Sequence, residues 1–196
     1  RGRDFRKMTY QQLGKYEIQD QIEAAQYLAT LPFVDGARIG IWGWSYGGYM
    51  SSNCLFQGNE TFKLAIAVAP VTNWRFYDNI YTERYMRTPQ ENEDGYDLNS
   101  PINHVKGLKG HYMLIHGSGD DNVHVQNTMR MVEELVQANK QFELFIYPDK
   151  NHSIFGGNTR YHLYNMMTDF IKENLRFINL MKRGHFFILN CPRIIH

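Results

Sequence analysis

The sequence predicts an α/β fold, a mostly parallel β-sheet flanked by helices. Short apolar runs typical of buried parallel strands occur at 38–42, 63–69, 111–116 and 142–147. The segments around these runs have helical spacing, and polar residues suited to chemistry follow several of the runs directly. Strands that alternate with helices form parallel sheets with right-handed crossovers, which gives this fold class.

The composition is that of a globular domain with one core. The chain has 196 residues, of which 43% are hydrophobic, and a net charge of +1. A charge this small gives no reason to expect nucleic acid or a membrane surface as a partner. Cys54 and Cys191 give no disulfide framework and no metal pattern, and we find no cofactor motif.

The first elements precede the first apolar run. Residues 1–15 are basic and polar, and we expect a loop or a short helix there. A helix is predicted from Tyr16 to about Leu31, where the residue before Pro32 resists the α conformation. The apolar positions with helical spacing in this segment are Ile18, Ile22, Ala25 and Ala29.

The run at 38–42 leads into a G-x-S-x-G sequence at 43–47, and a helix is predicted over 48–56. A serine between a strand and a helix lies on a sharp turn that exposes its hydroxyl, and flanking glycines make room for that turn. We therefore predict that Ser45 is a nucleophile and that the backbone N–H of Tyr46 faces the developing oxyanion.

An aromatic segment follows the second run. Its members are Trp74, Phe76, Tyr77, Tyr81 and Tyr85. Core packing is the ordinary role of such residues, but a position just past the carboxyl end of a strand equally suits the wall of a pocket. Residues 87–111 are polar and are expected to form surface loops with at most one helix.

The third and fourth runs end in polar loops. The third leads to Asp120 and Asp121, and the fourth leads to His152. A helix after the third run is predicted to use the face formed by Val125, Met129, Val132 and Val136. A last helix, reaching about residue 175, is predicted from Leu163, Met167 and Phe170.

A serine nucleophile needs a base, and the base needs a carboxylate that fixes its tautomer. Among eight histidines only His152 lies on the loop directly after the fourth strand, in the order serine, acid, histidine that α/β-hydrolases use. His116 precedes both acids, His162 belongs to the last predicted helix, and His185 and His196 belong to the tail. Asp120 and Asp121 compete for the role of the acid. Asp120 is preferred because it lies closer to the end of its strand.

Several long motifs carry a resemblance to a known family. They lie at 43–49, 67–74, 81–86 and 116–124, and the similarity extends over about residues 1–175. The chain resembles the dipeptidyl peptidase IV branch of the prolyl oligopeptidase family. This resemblance implies an α/β-hydrolase fold and a serine exopeptidase that releases N-terminal dipeptides whose second residue is proline or alanine.

The resemblance also implies a role for individual residues. Ser45, Asp120 and His152 would be the nucleophile, the acid and the base, and Asn122 would bind the carbonyl of the substrate's first residue. The proline pocket would consist of Tyr46, Val71, Trp74, Tyr77, Tyr81 and Val123. Rigid aromatic walls pack well against a flat pyrrolidine ring.

Family members carry further parts that would precede Arg1: a β-propeller with a glutamate pair for the substrate amine, a tyrosine that completes the oxyanion hole, and the first strands of the sheet. The chain is therefore expected to be the C-terminal part of a peptidase domain, at 1–175, truncated on its N-terminal side and inactive alone. An apolar sheet edge would be exposed beside 39–42 or 64–69. An atypical tail would follow at 176–196.

The resemblance further implies a peptide substrate, a homodimer, and a periplasmic, cell-surface or secreted protein. In mammalian relatives a disulfide joins the positions that match Leu64 and Asn174. Neither residue is a cysteine here, which favours a bacterial member. No nucleic-acid or membrane contact is expected. One alternative is an acyl-peptide hydrolase or esterase on the same fold, against which the aromatic set argues. The other is a non-catalytic binding relative, which the presence of Ser45 disfavours.

Overall fold

The computed structural model describes residues 2–176 and the backbone of the strand at 185–190. Five strands form one sheet in the order β4-β3-β2-β1-β5, and each neighbouring pair is parallel. The strands are β1 Val34–Trp44, β2 Phe62–Val68, β3 His111–Gly117, β4 Glu143–Tyr147 and β5 His185–Asn190. The α-helices are α1 Gly2–Arg6, α2 Lys15–Ala29, α3 Tyr46–Gln57, α4 Asn79–Met86, α5 Glu93–Asp97, α6 Gln126–Gln137 and α7 Thr159–Asn174. Two 3-10 segments lie at Trp74–Phe76 and Pro101–Gly107.

The sheet separates two apolar layers because successive side chains of a strand point to opposite faces. In β2, Ala65 and Ala67 pack into the layer that also contains buried residues of α2, α3 and α6. Leu64, Ile66 and Val68 pack into the opposite layer, which α7 covers with Leu163, Met167 and Phe170. The predicted α/β class is confirmed, and so is the predicted buried face of the last helix.

The buried face of α6 differs from the prediction. Met129 and Val136 are exposed, and the helix instead buries Asn127, Thr128, Met131 and Leu135. The two polar residues are buried because they have hydrogen-bond partners: Asn127 accepts from the N–H of Thr72 at 2.9 Å, and Thr128 contacts a buried histidine of β3. A search for apolar periodicity cannot detect a face that is buried partly through polar residues.

The expectation of an exposed apolar edge is wrong for both named segments. β2 lies between β1 and β3, and the outer side of β1 pairs with β5. In that pairing Ile39 is opposite Phe187 and Trp42 is opposite Asn190. Residues 185–190 therefore form a strand beside β1, the strand that directly precedes Ser45. None of the helices within the described part of the chain is long and apolar enough to cross a membrane.

Candidate active site

Ser45 lies on a strained turn between β1 and α3. Its φ and ψ angles are 61° and −118°, a conformation that costs energy for any residue other than glycine. The turn is tight because a Cβ atom on Gly43 would overlap the carbonyl group of Gly47. The N–H of Ser45 donates to the carbonyl of Val68 at 2.8 Å, which anchors the turn to the neighbouring strand. These contacts form the predicted nucleophile elbow.

Tyr46 is the first residue of α3, where backbone N–H groups have no acceptor within the helix. Its N–H is thus free to donate to an anionic oxygen, and the positive end of the helix dipole stabilises such an anion. Its side-chain hydroxyl donates to Glu17 Oε1 at 2.8 Å, while Glu17 Oε2 accepts from the N–H of Gly14 at 3.1 Å. Burial, and then the charge of Glu17, raise the pKa of Tyr46 well above its usual value, so the phenol remains the donor.

The structure pairs His152 with Asp120. His152 Nδ1 donates to Asp120 Oδ2 at 2.7 Å, and the other carboxylate oxygen accepts from the N–H groups of Asn122 and Val123 at 2.9 and 3.0 Å. Asp121 is exposed to solvent. Because Nδ1 carries the proton of that bond, Nε2 of the neutral imidazole is left as an acceptor, as a general base requires.

Asp120 remains ionised in spite of its burial. Burial alone would raise the pKa of this carboxyl group, but hydrogen bonds from His116 and His152 outweigh that effect and hold the pKa well below its usual value. The side chain of Asp120 is fully buried, and 12% of the side chain of His152 is exposed. The site therefore contains a buried carboxylate behind a histidine that solvent or substrate can reach.

Backbone contacts fix the acid loop and the histidine loop to each other. Gly119 N–H donates to the carbonyl of Lys150 at 3.0 Å, and Asp149 N–H donates to Ser118 Oγ at 2.8 Å. The elbow contributes as well, because Trp44 Nε1 donates to the backbone carbonyl of His152 at 2.9 Å. Trp44, which directly precedes Ser45, thus helps to hold the loop that carries His152.

One pocket of about 220 Å³ brings most of the predicted site together. Its lining residues are Ser45, Tyr46, Val71, Trp74, Tyr77, Tyr81, Asn122 and His152. The indole of Trp74 stacks on the ring of Tyr81 with centroids 5.8 Å apart and meets Tyr77 edge-on at 6.0 Å. Such packing makes a rigid apolar wall next to the serine hydroxyl.

Two hydrogen-bond connections hold this wall in place. The hydroxyl of Tyr77 donates to Asn122 Oδ1 at 2.7 Å, which leaves the amide N–H groups of Asn122 for a ligand. Behind the wall, the hydroxyl of Thr72 donates to the backbone carbonyl of Asn127 at 2.8 Å. The loop after β2 is therefore tied to the start of α6.

The structure does not bring Val123 to the pocket, in contrast to the prediction. Val123 is fully buried, its N–H donates to Asp120, and its carbonyl accepts from His116 Nε2 at 2.7 Å. The loop that carries it folds back under Asp120, so Val123 supports the acid loop and Asn122 alone reaches the pocket.

The sequence interpretation missed Glu17, Trp44 and His116. Only Glu17 had a local signal, since a glutamate three residues after Gly14 is typical of a helix start.

The parallel sheet, the elbow and the histidine–carboxylate pair together define an α/β-hydrolase with a serine-type site. The model of the prolyl oligopeptidase family matches residues 1–177, and the chain belongs to that family.

Relatives and solved structures agree with the resemblance to the dipeptidyl peptidase IV branch. A curated Aspergillus terreus protein named "Probable dipeptidyl-aminopeptidase B" is 47% identical over 174 residues, which is 87% of this chain and 19% of the relative. A protein of the same name from Trichophyton verrucosum is 43% identical over 188 residues, 94% of this chain and 20% of the relative. The crystal structure of Porphyromonas gingivalis dipeptidyl peptidase 4 shares 58% identity with a TM-score of 0.87, covering 89% of this chain and 25% of that one. The chain thus spans about a fifth of the length of the curated relatives it matches.

Proposed function

We propose that the protein is a serine dipeptidyl exopeptidase, which releases N-terminal dipeptides whose second residue is proline or alanine. The observation that carries this proposal is the shared pocket. Ser45 and His152 line the same small cavity as Tyr46, Trp74 and Tyr81, so the reacting groups adjoin an apolar wall.

In the proposed reaction, Ser45 Oγ attacks the carbonyl carbon of the substrate's second residue, and His152 Nε2 takes the hydroxyl proton. The tetrahedral oxyanion accepts a hydrogen bond from the N–H of Tyr46. His152 then gives its proton to the leaving amine, and an acyl-enzyme on Ser45 remains. Water, deprotonated by His152, hydrolyses that ester and restores the serine. Asp120 stabilises the imidazolium form in both halves.

The pocket accounts for the proposed preference at the substrate's second residue. Pockets for drug-sized ligands have volumes of about 300–1,000 Å³, and a smaller cavity suits one compact side chain. A volume of about 220 Å³ between aromatic walls therefore favours a proline ring or an alanine methyl group. Asn122 would donate from its free amide N–H groups to the carbonyl of the first substrate residue.

The test uses the full-length gene product and Gly-Pro-p-nitroanilide, with Ser45→Ala as the matched inactive variant. Release of p-nitroaniline together with the intact Gly-Pro dipeptide is expected for the wild type and not for Ser45→Ala. Gly-Leu-p-nitroanilide should be a poorer substrate, because a flexible branched side chain packs less well than a flat ring against rigid aromatic walls. Succinyl-Gly-Pro-p-nitroanilide should resist cleavage, because an exopeptidase needs the free amine.

Other outcomes would contradict the proposal. Cleavage of N-acetylated amino-acid anilides with no reaction on Gly-Pro-p-nitroanilide would indicate an acyl-peptide hydrolase. Hydrolysis of short-chain p-nitrophenyl esters alone would indicate an esterase. Tight binding of Gly-Pro peptides without turnover would indicate a non-catalytic binding protein.

A further inference from the structure

A second histidine lies next to the acid of the candidate site. His116 belongs to β3, is fully buried, and has no place in the reaction described above. Its Nε2 lies 3.2 Å from Asp120 Oδ2, the same oxygen that accepts from His152. Asp120 Oδ2 therefore lies between two imidazole rings, one from β3 and one from the loop after β4.

The partners of His116 fix its tautomer. Nε2 lies 2.7 Å from the carbonyl oxygen of Val123, which can only accept, so Nε2 carries a proton. In the neutral ring Nδ1 is then an acceptor, and it receives the hydroxyl of Thr128 at 2.7 Å. A single neutral tautomer satisfies both ring nitrogens, and its Nε2–H is directed to the region shared by Val123 O and Asp120 Oδ2.

The same arrangement holds the carboxylate from two sides. Oδ1 is fixed by the backbone N–H groups of Asn122 and Val123, and Oδ2 is fixed by His116 and His152. Removal of His116 would leave His152 as the only side-chain donor to Oδ2 among the residues that the structure describes. The carboxylate could then rotate about its side-chain torsions, and the imidazole of His152 would follow it.

We propose that His116 is a positioning residue for the reaction: its Nε2–H holds Asp120 Oδ2 toward His152, and Thr128 keeps His116 in the required tautomer. The inference rests on the proposed function for its chemistry, although not for its substrate. His116 acts through Asp120 and does not contact the substrate pocket. Fixed orientation of a base matters because small misplacements at a reacting centre lower the rate strongly.

Three variants separate positioning from structural support. His116→Leu removes the donor, and His116→Gln retains an N–H donor at about the same distance from the backbone. Thr128→Val removes only the hydroxyl that fixes the tautomer. Tyr112→Phe is the matched control, because Tyr112 is a buried residue of the same strand whose hydroxyl bonds Ser52 at 2.7 Å and does not contact Asp120.

The first measurement is the rate constant for labelling of Ser45 by a fluorophosphonate, which depends on the base but not on peptide specificity. We expect His116→Leu to label about ten- to a hundredfold more slowly, as for loss of a hydrogen bond to a charged group. The labelling rate of His116→Gln should lie within about threefold of the wild-type rate, and that of Thr128→Val should lie between those of His116→Leu and wild type. Tyr112→Phe should label at the wild-type rate.

The second measurement is the steady-state kinetics with Gly-Pro-p-nitroanilide, in which the loss should appear in kcat and not in KM. Labelling of both His116→Leu and Thr128→Val at the wild-type rate would overturn the proposal. Equal losses in His116→Gln and His116→Leu would overturn it as well, since the donor would then be irrelevant. If His116→Leu does not fold, Thr128→Val decides alone. Absence of peptide turnover in the wild type would refute the proposed function, while the labelling rates would still decide the role of His116.

Discussion

Replacement of Asp120 by asparagine is expected to lower kcat by about ten-thousandfold, and the structure explains why the loss is so large. The carboxylate accepts two backbone N–H groups on Oδ1 and the Nδ1–H of His152 on Oδ2, and Oδ2 also lies 3.2 Å from His116 Nε2. An asparagine has only one acceptor oxygen. If that oxygen remains on the backbone N–H groups of Asn122 and Val123, the amide NH₂ group faces His152 and His116.

That amide orientation forces a change in His152. An NH₂ group cannot accept the Nδ1 proton, so the proton moves to Nε2 and Nδ1 becomes the acceptor. The nitrogen that should take the proton from Ser45 is then already protonated. This tautomer change explains the large loss in kcat, because the base can no longer take the proton. Substrate binding does not depend on the tautomer, so KM should change by less than about threefold.

The assay compares kcat and KM for Gly-Pro-p-nitroanilide in the full-length gene product, with Asp121→Asn as the matched control. Asp121→Asn makes the same substitution at the neighbouring residue, whose side chain is exposed. Its kcat should remain within about threefold of wild type, as for a change remote from the reacting groups. The tautomer argument would be refuted if Asp120→Asn retained more than about a tenth of the wild-type kcat, or if Asp121→Asn lost more activity than Asp120→Asn.

Three further outcomes are expected. A fluorophosphonate should label Ser45, as mapped by mass spectrometry, and undiminished labelling of Ser45→Ala would assign the nucleophile elsewhere. Gly43→Ala should lower the free energy of unfolding in urea by about 1–3 kcal/mol, because its methyl group would overlap the Gly47 carbonyl; unchanged stability would contradict the tight turn. Because the pKa of Asp120 is lowered on folding, its contribution to stability is present above its unfolded pKa of about 4 and is lost as the pH falls further. The free energy of unfolding measured in urea should therefore fall more steeply from about pH 5 to about pH 2 in wild type than in Asp120→Asn. Parallel plots of that free energy against pH would argue against the contribution.

Four of the five strands and the three candidate reacting residues could be predicted from the sequence because each depends on local information. Short apolar runs mark buried strands, and residues that follow parallel strands meet at one edge of the sheet. Ser45, Asp120 and His152 each lie just after such a run. Their chain order then restricted the choice among the histidines, and the structure pairs His152 with Asp120.

The parts that could not be predicted depend on contacts between distant residues. His116 was set aside because it precedes the acid in the chain, yet the loop after β3 turns back and brings Asp120 to it. The apolar run at 186–189 was visible in the tail, but its pairing with β1 is not encoded in any local pattern. Val123 was assigned to the pocket by resemblance alone, and only the path of the loop shows that it lies beneath Asp120.

The hydrogen bond from Trp44 to the carbonyl of His152 joins positions 108 residues apart in the chain. Parallel sheets assemble through such non-local contacts, which form slowly because long loops must close first. A chain in which only β1 and α3 have folded would have an elbow but no base. Reactivity toward a fluorophosphonate during refolding should consequently appear with the last long-range contacts and not with early helix formation. Labelling of Ser45 during refolding can therefore report when the loop after β4 has reached the end of β1.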